Sequence, residues 1–392
     1  MTNTRKENTR YMKRTLVLFM AILLLVMCGC SAPVDETLPA TLPTNAPTNP
    51  PTNPPTTPPT DAPTDPPTEP PTEAPTEPPV LYRNPLTGEP IDEPITDRPV
   101  CVVFNNSRAA MPQHGVGQAD ILYETLIEGE TRCMGVFYNF AAATQPLGSI
   151  RSARRDFIRL AMGYDAIYVH GGQSQGEYGA KEYLAATGWD HIDGVHGSGA
   201  YKYYYRTRQD SYALEHTLFI DPEDAIAYAE KMNCTMSRDE SVDFGWEFAD
   251  EVSLAGTTAN KVTVWFNLSK THSTQWHKYT TMNYNDTTGL YEAYQHGANY
   301  IDGNTGETLS FRNILILHMN MKTLDNTLMK IDVVGSGKGY FACNGQIIPI
   351  AWSRSSEYDN YVYTYEDGTP LTLGVGKTYV ALIPNNGHVE VE

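Results

Sequence analysis

The chain has 392 residues, with 28 Lys and Arg against 46 Asp and Glu, a formal net charge of −18 at pH 7. That balance excludes nucleic acid and anionic lipid surfaces as general partners, since a protein that reads phosphates must carry the opposite sign. Six cysteines, widely spaced in the body of the chain and without a CxxC pair, argue against a disulfide framework and a thiolate zinc site.

Arg5, Lys6, Arg10, Lys13 and Arg14 precede an apolar run from Leu16 to Met27, the charge order of an export leader. The run falls short of the roughly 20 residues that a membrane span needs. Gly29 before Cys30 resembles a bacterial lipobox. Residues 1–29 are therefore read as a signal peptide and Cys30 as the lipidated first residue of the mature chain, anchored to the membrane without spanning it. Setting aside the leader's five basic residues and one acid takes the charge from −18 to −22. Residues 30–79 repeat Pro-Thr units such as PTNPPTNPPTTPP and hold no apolar run able to form a core. At about 3.1 Å per residue for polyproline II, this stalk reaches on the order of 100 Å. The expected location is the outer face of the cytoplasmic membrane in a Gram-positive-type envelope, with the folded part held away from the bilayer.

The remainder is long enough for two domains, and the composition changes between Phe244 and Asn260. Residues 80–250 read as a mixed α/β domain and residues 251–392 as mainly β, an α+β protein overall. PVCVVFNN, ending in Asn105 and Asn106, predicts a buried strand. Residues 120–128 alternate and, after Gly129, residues 131–140 continue the pattern, which predicts a β-hairpin. Ser152 is placed to cap a helix over RRDFIRLAMGY. Residues 165–170 predict a short strand ending at His170, and residues 175–187 a second helix. Asp221-Pro222 opens a third helix, with Pro at the first position and acids in the first turn. Beyond Gly256 the strands KVTVWF, GLYEAYQ, NILILHM, LMKIDVV, GYFACN, QIIPIAW and KTYVALI, separated by turns, predict a sandwich or barrel. Gly335–Gly339 imitates a phosphate loop but precedes a strand, so a turn or bulge is expected there.

Arg151, Arg154 and Arg155 crowd the expected start of a helix, where the macrodipole disfavours cations. One reading is an anion pocket in which guanidinium groups and helix N–H groups receive a carboxylate or phosphate together. The other is a structural network with Glu124, Glu128 and neighbouring acids. Glu124 shares a hairpin face with Leu122 and Leu126, and burial there raises its pKa unless a cation or donors compensate. A poised carboxyl of that kind suits the general acid of glycosidic-bond cleavage. An ion pair with Arg132 or the helix arginines is the alternative. His170, at a strand end before Gly171-Gly172 and near Ser174, occupies the position where α/β folds place ligands. Asn105, Arg132, Ser152 and His216 complete the set of ligand-binding candidates. His191, His196, His272, His277, His296 and His318 show no metal-ligand spacing, and no cofactor is expected. The Tyr-rich segment Tyr201–Arg206 reads as an edge strand or as a sugar-stacking surface.

NPLTGEP (84–90), RPVCVVFNN (98–106), QADILYETLIEGETR (118–132), GSIRSARRDF (148–157), YDAIYVHGGQS (164–174) and LEHTLF (214–219) together resemble the YerB-like family of bacterial lipoproteins. GSGKGYFACNGQIIPIAW (335–352) and GKTYVALIP (376–384) extend the resemblance through the second half. It implies a two-domain exported lipoprotein and carries no activity with it. The leading expectation is a lipoprotein that binds carboxylate-bearing peptidoglycan or acidic glycan through an Arg-rich pocket. A glycan-cleaving enzyme with Glu124 as acid, and a scaffold for an envelope protein, are the alternatives.

Overall fold

A computed structural model describes residues 82–266, 278–324 and 327–392. The expected leader, Cys30 and stalk lie outside the described residues, as do His272 and His277. From Val80 onward the chain is a single compact unit.

Its centre is an eleven-stranded mixed sheet. The first half of the chain supplies β1 (Val100–Asn105), β2 (Ile121–Ile127), β3 (Glu130–Phe137), β4 (Ile167–His170) and β5 (His191–Asp193). Three helices accompany them: α1 (Arg155–Gly163), α2 (Ala180–Thr187) and α3 (Pro222–Lys231). The second half supplies β6 (Lys261–Trp265), β7 (Tyr279–Asn285), β8 (Leu290–Gln295), β9 (Asn313–Met319), β10 (Gly335–Cys343), β11 (Gln346–Arg354), β12 (Thr378–Pro384) and β13 (His388–Val391). The sheet runs β11-β10-β9-β12-β2-β3-β1-β4-β5, with Thr257–Thr258 and Val362–Thr364 pairing with β11. β12 lies parallel to β2, Thr378 opposite Ile121 and Leu382 opposite Thr125. The helix-bearing and the all-strand halves thus share one hydrogen-bonded ladder.

Both faces of this sheet are buried, so its strands read as near-continuous apolar runs. Alternate residues go to opposite cores, as the period of two requires. Cys101, Val103, Tyr123, Val380 and Leu315 pack with α1 and α2 on one side. Val102, Phe104, Leu122, Tyr379 and Ile316 pack on the other, against α3 and the inner residues Val262, Val264, Met282 and Ala293 of a second sheet. That sheet is six-stranded, in the order Ala298–Asn299, β8, β7, β6, β13, with Ser310–Phe311 also on β8. The β half is therefore a sandwich, in which one of the sheets extends into the α/β half.

Several local expectations are corrected. The helix at GSIRSARRDF begins at Arg155, with Arg154 as its extended N-cap, and Ser152 does not cap it. Residues 150–153 are instead held by isolated bridges at Ile150 and Ala153: Arg151 N–H donates to Val103 O at 3.0 Å and Ala153 N–H to Gly172 O at 2.8 Å. α2 starts at Ala180 rather than Gln175, because Gly176 at φ +107° breaks the helical path. Gly335–Gly339 forms no turn or bulge and is the first half of β10. Tyr204–Arg206 is the edge strand of a small three-stranded sheet. Cys101, Cys133 and Cys343 are buried free thiols, and Cys234 is half-buried.

The NPLTGEP motif is a turn that needs its glycine. Asn84 Oδ1 accepts from Leu86 N–H at 2.9 Å, and Gly88 N–H donates to Asn84 O at 2.7 Å. Gly88 has φ +71°, and a Cβ there would lie 2.5 Å from Phe248 Cβ. Gly88→Ala is expected to cost about 1–3 kcal/mol, measurable as a lower urea midpoint with an unchanged m value.

Candidate functional site

The parallel strands β1 and β4 end side by side, and the candidate residues gather around those ends. Asn105 closes β1, and Arg132 opens β3 directly opposite it. The strand-like segment 150–153 brings in Arg151 and Ser152, and Arg154 follows at the start of α1. The turn Leu214–His216 approaches from the other side.

Three guanidinium groups meet there. Arg154 takes both oxygens of Glu128 in a fork, Nε to Oε1 at 2.6 Å and Nη2 to Oε2 at 2.7 Å. Arg132 is only 4% exposed, and its Nη1 donates to Ser152 O at 2.6 Å. Arg151 Nη1 donates to Glu215 O at 3.2 Å, and its buried Nε has no partner among the described residues. Burial, reinforced by Arg154 and Arg151, holds the Arg132 guanidinium well below its usual pKa. Burial also lowers Arg151, opposed by Glu215 and assisted by Arg154. Asn105 Nδ2 donates to His216 Nδ1 at 2.8 Å, which leaves the neutral imidazole protonated at Nε2. Burial, then Arg151, lowers the pKa of His216.

Asn105, Arg132, Arg151, Ser152, Arg154 and His216 are thus one neighbourhood, in which Glu128, Glu130 and Glu215 face the arginines. The enclosed crevice beside Arg154, lined by Thr125, Asp156, Phe157 and Ile331, measures about 10 Å³, room for a single water. Arg151 and Arg154 are half-buried and Arg132 is almost wholly buried, so a ligand would meet the first two.

The remaining candidates have other positions. Arg155 stacks on Tyr178 and Tyr183, 4.7 and 4.4 Å from the ring centroids. Ser174 Oγ accepts from Ala180 N–H at 3.0 Å, bracing the start of α2. His170 is fully buried, its Nδ1 donating to Gly172 O at 2.8 Å and its Nε2 2.9 Å from His191 Nδ1. Desolvation drives its pKa down to about 4, partly countered by Asp193.

Glu124 faces the second sheet and is sealed from solvent. Oε1 receives Asn106 Nδ2 at 2.9 Å, Thr131 Oγ1 at 2.6 Å and Lys278 Nζ at 3.2 Å. Oε2 receives Thr280 Oγ1 at 2.9 Å and Tyr379 OH at 2.7 Å. Burial alone would raise its pKa, but Lys278 and the hydroxyl donors outweigh burial and leave it lowered. The compensating cation and donors that the hairpin pattern left open are present, and the cation is Lys278 rather than Arg132 or a helix arginine. An ionised, five-coordinated, buried carboxylate has no proton to donate and no route to a substrate. Lys278 also donates to Gln295 Oε1, whose Nε2 donates to Asn106 Oδ1 at 3.0 Å. Asn106, Lys278, Thr280 and Gln295 are not among the candidate site residues read from the sequence, since only the sheet-on-sheet packing joins them to Glu124. Among the described residues no three His, Cys, Asp or Glu side chains are grouped so as to hold a metal ion.

Residues 86–235 match the N-terminal domain, and residues 269–380 the C-terminal domain, of a protein family of unknown function, DUF3048. The chain is 28% identical over 304 residues to the "Putative lipoprotein YerB" of Bacillus subtilis (strain 168), covering 77% of this chain and 86% of the relative. This chain belongs to the YerB-like family. The crystal structure of YerB protein from Bacillus subtilis superposes with a TM-score of 0.67 at 25% identity, over 79% of this chain and 99% of the crystallised one. Kinship with a lipoprotein relates the chain to membrane-anchored envelope proteins, and among the described residues no helix is long and apolar enough to cross a membrane.

Proposed function

We propose that this YerB-like chain is anchored through lipid on Cys30 at the outer face of the cytoplasmic membrane and binds carboxylate-bearing cell-wall material. The contacts are Arg151 and Arg154, backed by the buried Arg132. What supports the reading is the crowding at the ends of β1 and β4: three guanidinium groups, one of them 4% exposed, have one carboxylate within ion-pair distance among the described residues, Glu128, while Glu215 and Glu130 act on Arg151 from further off. An incoming carboxylate can accept from Arg151, which is half-buried and whose Nε has no partner among the described residues. Asn105 and His216 add neutral hydrogen-bonding groups at the edge.

Titration of residues 80–392 with soluble muropeptides and with an acidic glycan tests this. A hydrogen bond to a charged group contributes about 1.5–3 kcal/mol, so Arg151→Ala with Arg154→Ala should weaken binding by tenfold or more. Muropeptides amidated at their carboxylates should bind as weakly to the unaltered protein. Unchanged affinity in either experiment removes the arginines from recognition.

A further inference from the structure

The outward face of the six-stranded sheet plays no part in the arginine cluster, and it carries a different chemistry. Residues that alternate with the inward Val262, Val264 and Met282 form an open groove of about 470 Å³. Trp265 of β6 and Tyr279 of β7 are direct cross-strand partners, their ring centroids 4.7 Å apart at 43°. One row along, Thr263, Thr281 and Tyr294 continue across β6, β7 and β8. The two threonine hydroxyls lie 3.1 Å apart and are 6% and 5% exposed, a floor between aromatic walls. Asn283 and Lys261, themselves cross-strand partners, form one rim, and Glu390 of β13, opposite Thr263, forms the other.

We propose that this groove binds the uncharged pyranose chain of a glycan. The lining contains no aliphatic side chain, whereas the core of a protein–protein interface is built on apolar anchors. It offers one cation and one anion, each with a partner: Lys261 Nζ is ion-paired with Glu392 at 2.8 Å, and Glu390 Oε1 lies 3.0 Å from His388 Nε2. A polyanion would find no net positive charge there. Half-exposed rings beside hydroxyl, amide and carboxylate groups match the amphipathic faces of a sugar, whose C–H surface stacks while its hydroxyl rim bonds. With strands about 4.8 Å apart and about 3.3 Å rise per residue, Trp265 and Tyr294 stand about 12 Å apart, the footprint of a short oligosaccharide. The platform rests on paired strands and is rigid before the ligand arrives.

This site is separate from the arginine cluster, and the test keeps them separate by using uncharged probes. Residues 80–392 are titrated with the tetrasaccharides of chitin, cellulose, amylose and mannan, followed by the indole N–H resonance of Trp265 and by calorimetry. At least one should move that resonance. Trp265→Ala and, independently, Tyr294→Ala should each weaken that binding by about tenfold with unchanged melting temperature, and Trp265→Phe should restore most of it. The Arg151→Ala, Arg154→Ala variant should bind the neutral sugar as the unaltered protein does. No response to any of the four sugars, full affinity in both aromatic variants, or loss of neutral-sugar binding in the arginine variant overturns the proposal. Failure of muropeptide binding leaves it standing.

Discussion

Lys278→Met should lower the stability of the folded unit by about 3–5 kcal/mol, the cost of leaving a buried charge without its counter-ion. Glu124 is sealed between the two sheets, and Lys278 is its only cationic partner among the described residues. Its remaining donors, Asn106, Thr131, Thr280 and Tyr379, are neutral. They satisfy the oxygens without cancelling the charge. The pair joins β2 of the large sheet to the strand entering β7 of the small one, so its loss acts on the packing of the sandwich. The expected signature is a lower urea midpoint with the slope preserved, since the surface exposed on unfolding is unchanged. Adding Glu124→Gln removes the orphaned charge and should recover most of the loss. Acid should do the same: without Lys278 the Glu124 carboxyl shifts upward and takes a proton inside the fold. A loss below about 1 kcal/mol for Lys278→Met would assign the junction to apolar packing alone.

Much of this architecture can be read from the residues because the governing patterns are local. The alternation of Leu122, Glu124 and Leu126 with Tyr123, Thr125 and Ile127 announces the hairpin, and Asp221-Pro222 announces α3. What stays hidden depends on contacts between distant segments. Ser152 has the chemistry of an N-cap, but hydrogen bonds to Val103 and Gly172 keep its neighbours extended, and tertiary pairing overrides the local preference. The burial of Glu124 was legible. Its partner was not, because Lys278 comes 154 positions later and only the docking of β7 brings it near. The arginine cluster is the intermediate case. RSAR shows a surplus of charge by itself, whereas the participation of Arg132 follows from its register opposite Asn105. The groove is the reverse: Lys261, Thr263 and Trp265 alternate with Val262 and Val264 in plain view. The identification of the exposed face with a platform needs Tyr279, Thr281 and Tyr294 beside them.

His170→Asn should remove the part of the acid-side loss of stability that this histidine causes. His170 is buried and its pKa is depressed to about 4, against about 6.5 in an unfolded chain. Between these values the unfolded chain binds a proton that the folded one refuses, so stability is fully present above pH 6.5 and is lost as the pH falls through 4. The gap corresponds to on the order of 3 kcal/mol. His296, also depressed to about 4, adds a smaller part in the same direction because it is less buried. Asp193, lowered by His170 and by backbone N–H donors, loses its contribution in acid too. Asp120 and Asp156 act oppositely. Desolvation raises each to about 6, so their contribution is present below the unfolded value and is lost as the pH rises through 6. The unaltered protein should therefore show a shallow profile between pH 4 and pH 6.5, the histidines and aspartates partly offsetting each other. With His170 gone the balance tips toward the aspartates, and the difference in unfolding free energy between the two proteins should shrink by on the order of 3 kcal/mol from pH 7 to pH 4. Urea titrations at half-unit pH intervals read it directly, and parallel profiles would show that His170 is charged inside the fold.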